Sequence, residues 1–137
     1  MALFVDASAL VAILAEEQGW EAFERRIAQA DNLLWSAMSR YEAILGLRRS
    51  RNISLADAQR DVDALAAAFR FRMVAIGDAE SHAALNAHAR YGKGHHPAHL
   101  NMGDCFAYAC AHSHHAELLY KGDDFALTDL AAPERPR

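Results

Sequence analysis

A chain of 137 residues has room for one compact domain with a real core, and too little for two ordinary ones. Apolar residues make up 53% and charged residues 23%, which excludes a disordered or low-complexity chain. Fourteen Lys and Arg against eighteen Asp and Glu leave a net charge of −4, so nucleic-acid contact would have to come from a local basic patch rather than a global field.

No apolar run approaches the ~18 residues of a membrane span. The opening MALFVDASALVAILAEE has no basic n-region and carries Asp6 inside its apolar stretch, so it is not read as a signal peptide. Cys105 and Cys110 fall on different faces of one predicted helix, which disfavours a mutual disulfide. These features predict a reduced, cytoplasmic protein with no membrane association.

In chain order, Leu3-Phe4-Val5 is long enough only for a buried strand, and the Ala/Leu-rich stretch from Ala7 to Ala15 reads as a helix. A second helix is predicted from Gln18 to Ala30, with Trp20, Phe23 and Ile27 at helical spacing. Asn32 to Trp35 is a brief strand, and Ser36 caps a helix running to about Arg49. Ser54 opens another helix, whose stripe is Leu55, Ala58, Val62, Leu65 and Phe69. Phe71 to Ile76 is predicted as a strand, Asp78 to Tyr91 as a helix and Gly92 to Pro97 as a loop. Asn101 caps a helix through about His115, and Leu118 to Tyr120 is the last strand, ahead of Gly122-Asp123-Asp124. Strands alternating with helices imply an α/β fold with a central parallel sheet covered by helices on both faces. The expected domain spans residues 1–130, with 131–137 a frayed tail containing two prolines.

The acids are informative because of where they fall. Asp6 closes the first strand, and Asp123 and Asp124 follow the last; the crevice beyond the carboxyl ends of parallel strands is the usual ligand site. Asp104 lies in the first turn of a helix, and Glu42 borders the stripe formed by Met38, Tyr41 and Leu45. Each alone has a bland reading: Asp104 as the capping acid of Asn101, Glu42 as a snorkelling surface acid, Asp123 and Asp124 as turn residues. Asp6 is the exception, since an acid ending a buried strand is costly without a purpose. Taken together, carboxylates converging at one sheet edge repel one another unless a cation intervenes. Oxygen donors without His or Cys select Mg²⁺ or Mn²⁺, a combination suited to phosphodiester hydrolysis.

The segments FVDASAL, YEAILGL, LNMGDCFAYACA and LLYKGDDFALTDL, in this order over nearly the whole chain, resemble the PIN-domain ribonucleases, and more closely the VapC toxins of type II toxin–antitoxin modules. The resemblance implies a PIN-like domain acting as a Mg²⁺- or Mn²⁺-dependent endoribonuclease on RNA, dimeric and inhibited by a VapB-type antitoxin. By family motif Asp6, Glu42 and Asp104 take metal-binding, catalytic roles. Asp123 is preferred as the fourth acid, with Asp124 as the alternative. Ser8 falls where a small hydroxyl residue commonly follows the first acid, and Thr128-Asp129 matches a family segment as well. The resemblance also implies an antitoxin C-terminal segment wrapping the toxin. A groove for it is expected between the helix of Trp20, Phe23 and Ile27 and the helix of Glu42.

For RNA binding, Arg40, Arg48, Arg49 and Arg51 cluster on and after the Glu42 helix, and Lys93 and Lys121 flank the expected site. Arg40, Lys93 and Lys121 are the candidate substrate contacts; the bland reading of the arginines is a solvated helix end. His95, His96 and His99, and His112, His114 and His115, lack zinc-motif spacing and are read as surface or interface groups. Two other readings of the acids remain: a non-toxin PIN nuclease of RNA maturation, and a receiver-type Mg²⁺-binding phospho-acceptor. The second lacks the acid pair beside Asp6 and the central strand-ending Asp that such modules use.

Overall fold

The protein is described from a computed structural model, at residues 1–94, 96–122 and 128–129. His95, the candidate fourth acids Asp123 and Asp124, and the expected tail 131–137 lie outside the described residues. Four strands, β1 (Ala2–Val5), β2 (Asn32–Trp35), β3 (Arg72–Met73) and β4 (Glu117–Leu119), form an all-parallel sheet in the order β3-β2-β1-β4. Among the described residues, six helices surround it: α1 (Ala7–Leu14), α2 (Trp20–Gln29), α3 (Ala37–Arg51), α4 (Leu55–Ala68), α5 (Asp78–Tyr91) and α6 (Met102–Ser113). Parallel strands need crossover connections, and these helices supply them.

The two-residue period of β1 divides the core. Phe4 packs with Leu34, Leu118, α5 and α6 on one face of the sheet, while Leu3 and Val5 pack with Leu33, Trp35, Leu119 and helices α1, α3 and α4 on the other. Strand order places the topological switch at β1. The chain leaves it toward β2 and β3, then returns to pair β4 on its opposite side. The crevice beyond the carboxyl ends of β1 and β4 is therefore where ligands bind in such sheets.

Local chemistry sets the element ends. Asp6 caps α1, Ser54 caps α4, and Ser36 and Ser39 form a reciprocal capping box at α3. Gly77 lacks a capping side chain, and its N–H instead donates to Glu80 Oε1 at 2.8 Å, which holds the Glu80 carboxyl below its usual range. Both cysteines are buried free thiols; burial raises the Cys110 thiol to about 11.

Several sequence expectations are corrected. The strand predicted over Phe71–Ile76 is only Arg72–Met73, both exposed at the sheet edge. β4 begins one residue earlier than predicted and ends at Leu119, and α2 begins at Trp20 because Gly19, at φ 86°, breaks the helical path. Leu55, placed in the α4 stripe, is 47% exposed in the first turn. Tyr41, placed on the apolar face of α3, is 64% exposed, and α3 buries Ser39, Ala43, Ile44 and Leu47 instead. In each case propensity and spacing mark the helix correctly, but only its neighbours choose which face is covered.

Candidate active site

Asp6 sits at the switch point. Its backbone N–H extends the β1–β4 ladder, donating to the Leu119 carbonyl at 2.9 Å, and the residue is buried, 6% exposed. Asp6 Oδ2 accepts from the Ser8 backbone N–H at 3.0 Å and from the Ser8 hydroxyl at 2.6 Å. The same hydroxyl accepts from the Lys121 backbone N–H at 2.9 Å. Ser8 thus ties the end of β1 to the chain leaving β4 and holds the Asp6 carboxylate in one orientation.

Asp104 occupies the third position of α6. Asn101 Oδ1 accepts from the Asp104 N–H at 2.9 Å, and Asp104 Oδ2 accepts in return from the Asn101 N–H at 3.1 Å. The capping reading and the site reading of this acid are therefore compatible, because the cap holds the carboxylate in place without consuming both of its oxygens.

Glu42 comes from α3, on the opposite side of the sheet from α6, and meets the first turn of α6 from across the crevice. A methyl group on Gly103 would fall inside the Glu42 carboxylate, 2.7 Å from Oε1 and nearer still to Oε2. Only glycine at 103 leaves that space. Half-buried there, Glu42 is raised to about 7, chiefly by desolvation and then by the negative charges of Asp6 and Asp104. The three acids share one electrostatic environment although they come from a strand end, mid-helix and a helix start.

Next to Asp6 in the chain, Ala7 and Ser8 line a groove of about 520 Å³. Its lining also includes Glu42, Arg49, Ser50, Lys121 and Gly122. Gly46 forms part of the floor, where α3 approaches α1 closely enough that a Cβ would stand 3.0 Å from Val11 Cγ2.

The candidate substrate contacts are distributed unequally. Lys121 lines the groove but its ammonium is 2.7 Å from Glu17. Lys93 lies apart, in a mainly apolar cavity between α5 and α6 that includes Asn101 and Met102. Arg40 does not line the groove: its Nε and Nη2 donate to Asp63 at 2.8 Å each, where α3 packs on α4. Of the α2 residues expected to face an antitoxin segment, Ile27 is buried at 1%, while Phe23 lines with Arg26 a cavity of about 270 Å³ against Leu118–Gly122.

Sequence reasoning missed two features of the site. Gly103 was overlooked, although a glycine in the first turn of a helix, beside an acid, is costly enough to be a signal. Tyr108 and Tyr91 were not connected to Asp129, whose Oδ1 accepts from their hydroxyls at 2.6 and 3.4 Å and pins the chain beyond β4 to α5 and α6.

Residues 3–130 match the PIN domain family model. A VapC ribonuclease of Rhizobium meliloti (strain 1021) is 44% identical over 139 aligned residues, covering 93% of this chain and 98% of the relative. The chain belongs to the VapC family of PIN-domain ribonucleases. Ribonuclease VapC of Mycolicibacterium smegmatis is 37% identical, covering 95% of this chain and 98% of its own length. Among solved structures, Mycobacterium tuberculosis VapC20, a sarcin–ricin loop cleaving toxin, superposes with a TM-score of 0.72 at 17% identity, covering 90% of this chain and 92% of that one. A toxin–antitoxin complex from Klebsiella pneumoniae gives 0.67 at 19% identity, covering 95% and 94%. The last two show a shared fold. The sheet order and the Asp6–Glu42–Asp104 crevice described above are thus features of a VapC chain.

The donor chemistry of the crevice fits a hard divalent cation. Asp6, Glu42 and Asp104 offer carboxylate oxygens alone, and a cation would offset both the burial that chiefly raises Glu42 and the neighbouring negative charges that add to it. Among the described residues no group of three His, Cys, Asp or Glu side chains is already arranged to hold an ion. Among the described residues, no helix is long and apolar enough to cross a membrane.

Proposed function

We propose that this protein is the endoribonuclease toxin of a VapBC-type module, hydrolysing RNA phosphodiester bonds in the cytoplasm with Mg²⁺ or Mn²⁺. The observation that supports this most is the convergence on Glu42 of the charges of Asp6 and Asp104, from three separate elements, at the switch point of the sheet. Kinship with VapC ribonucleases over nearly the whole chain supplies the reaction class.

Asp6 and Asp104 are the acids proposed to hold the cation, with Glu42 beside them and Asp123, or alternatively Asp124, completing the set from outside the described residues. When bound, the cation would lower the pKa of water and offset the charge that builds on the phosphoryl oxygens. The protein's own contribution is orientation. Ser8 fixes Asp6 against rotation, the Asn101 cap fixes Asp104, and Gly103 lets Glu42 lie deep enough to accept a hydrogen bond from the attacking water. No histidine or cysteine nucleophile enters this scheme; among the described residues both thiols are buried, and burial raises both.

Lys121 and Lys93 are retained as candidate RNA contacts, and Arg40, committed to Asp63, is not. The proposed partners are RNA, a second copy of the chain and a VapB-type antitoxin. The cavity beside Phe23 and Arg26 offers an apolar seat and a cation to an antitoxin segment.

Incubation of the purified protein with total RNA, with Mg²⁺ or with EDTA, and mapping of new 5′ ends tests the reading. Discrete, Mg²⁺-dependent cuts absent from Asp6→Asn are expected. Intact RNA under all conditions rejects it.

A further inference from the structure

Resting on the ribonuclease reading, the crevice has an electrostatic difficulty. A phosphodiester must approach a groove lined by Glu17 and Glu42, whose carboxyl also feels the charges of Asp6 and Asp104, on a protein of net charge −4. A bound cation addresses the scissile phosphate only, so the flanking RNA backbone needs its own positive contact.

The arginines and lysines around α3 differ in what they already hold. Arg40 is bidentate to Asp63, Arg51 Nη1 donates to the Leu14 carbonyl at 3.0 Å, and Lys121 pairs with Glu17. Arg49 is exposed, lines the same groove as Glu42, and among the described residues has no ion-pair or hydrogen-bond partner. Its position follows from helix geometry. Glu42, Gly46, Arg49 and Ser50 stand at i, i+4, i+7 and i+8 and so share one face of α3, with roughly 10 Å of helix rise from Glu42 to Arg49. Gly46 between them lets α3 pack close on α1, where a Cβ would stand 3.0 Å from Val11 Cγ2.

We infer that Arg49 is a phosphate-anchoring subsite: it binds a backbone phosphate of the RNA neighbouring the scissile one and sets the direction in which the strand lies along α3. The planar guanidinium suits bidentate phosphate contact, and the Ser50 hydroxyl beside it adds a hydrogen-bond donor.

Arg48 supplies the control. It occupies the same last turn of α3, so a contribution to the helix dipole is common to both residues, but it does not line the groove. Cleavage of a short RNA containing a mapped site is measured for wild type, Arg49→Gln and Arg48→Gln over a range of KCl. RNA binding is measured in parallel by anisotropy on Asp6→Asn backgrounds. Arg49→Gln is expected to raise KM roughly tenfold with kcat within about twofold, and to lower the salt slope of binding by about 0.7, the loss of one single-strand phosphate contact. Arg48→Gln is expected to match wild type. Equal behaviour of all three proteins, or equal losses in both variants, overturns the subsite while leaving the ribonuclease reading standing. A wild type that neither cleaves nor binds RNA overturns both.

Discussion

Glu42 on α3 and Gly103 on α6 are complementary in shape: the carboxylate fills the space that any side chain at 103 would need. Gly103→Ala is expected to push Glu42 out of the crevice and reduce RNA cleavage about 100-fold. Glu42→Asp, shorter by one methylene, is expected to cost activity alone but to lose little more when combined with Gly103→Ala. Losses that multiply in the double variant would show that Gly103 acts through folding rather than through Glu42.

Glu42 also makes the metal-free protein sensitive to pH. Its folded-state value of about 7 lies above the ordinary 4.5, so the native state binds this proton more tightly than the unfolded chain. The resulting stabilisation is complete below pH 4.5 and is lost as pH rises through 7. Because the group is only half buried, the effect is on the order of 1 kcal/mol after solvent screening. Thermal unfolding in EDTA should show a falling midpoint from pH 5 to 8 for wild type, and a smaller fall for Glu42→Gln. Identical pH slopes would remove Glu42 as the cause.

Cation binding to the native state alone raises stability by mass action, by about 2.7 kcal/mol at a hundredfold excess over Kd. Mg²⁺ or Mn²⁺ should raise the melting temperature of wild type and much less that of Asp104→Asn. Asparagine retains an acceptor for the Asn101 N–H, so the metal-free midpoint should change little. A full metal response in Asp104→Asn would exclude this acid as a ligand.

The Tyr108 hydroxyl is 2.6 Å from Asp129, and burial together with that carboxylate raises the phenol well above its usual range. Tyr108→Phe should destabilise the protein by about 1–2 kcal/mol in urea titration. A double-mutant cycle with Asp129→Asn should return a coupling of similar size. Additive losses would show that the two do not act as a pair.

Arg40 and Asp63 are partly exposed, with side chains 33% and 42% accessible, so Arg40→Gln should cost no more than about 1 kcal/mol. It should leave the KM for RNA and its salt dependence unchanged. A raised KM would mean that RNA competes with Asp63 for the guanidinium.

The sequence alone determined what depends on near neighbours. Strand and helix alternation, the caps at Ser36, Ser54 and Asn101, and the placing of Asp6 and Asp104 at element ends rest on periodicity and on residues within four positions of one another. Tertiary structure decided what depends on packing between distant elements. The seat of Glu42 on Gly103, the Ser8 bridge to Lys121, the commitment of Arg40 to Asp63 and the freedom of Arg49 join or separate residues far apart in the chain. A helix pattern states how residues are spaced around an axis, whereas the rotation of that axis against its neighbours is set by the crossovers and the sheet. For that reason the acids could be named from the sequence, while the choice among the four arginines of α3 required the fold.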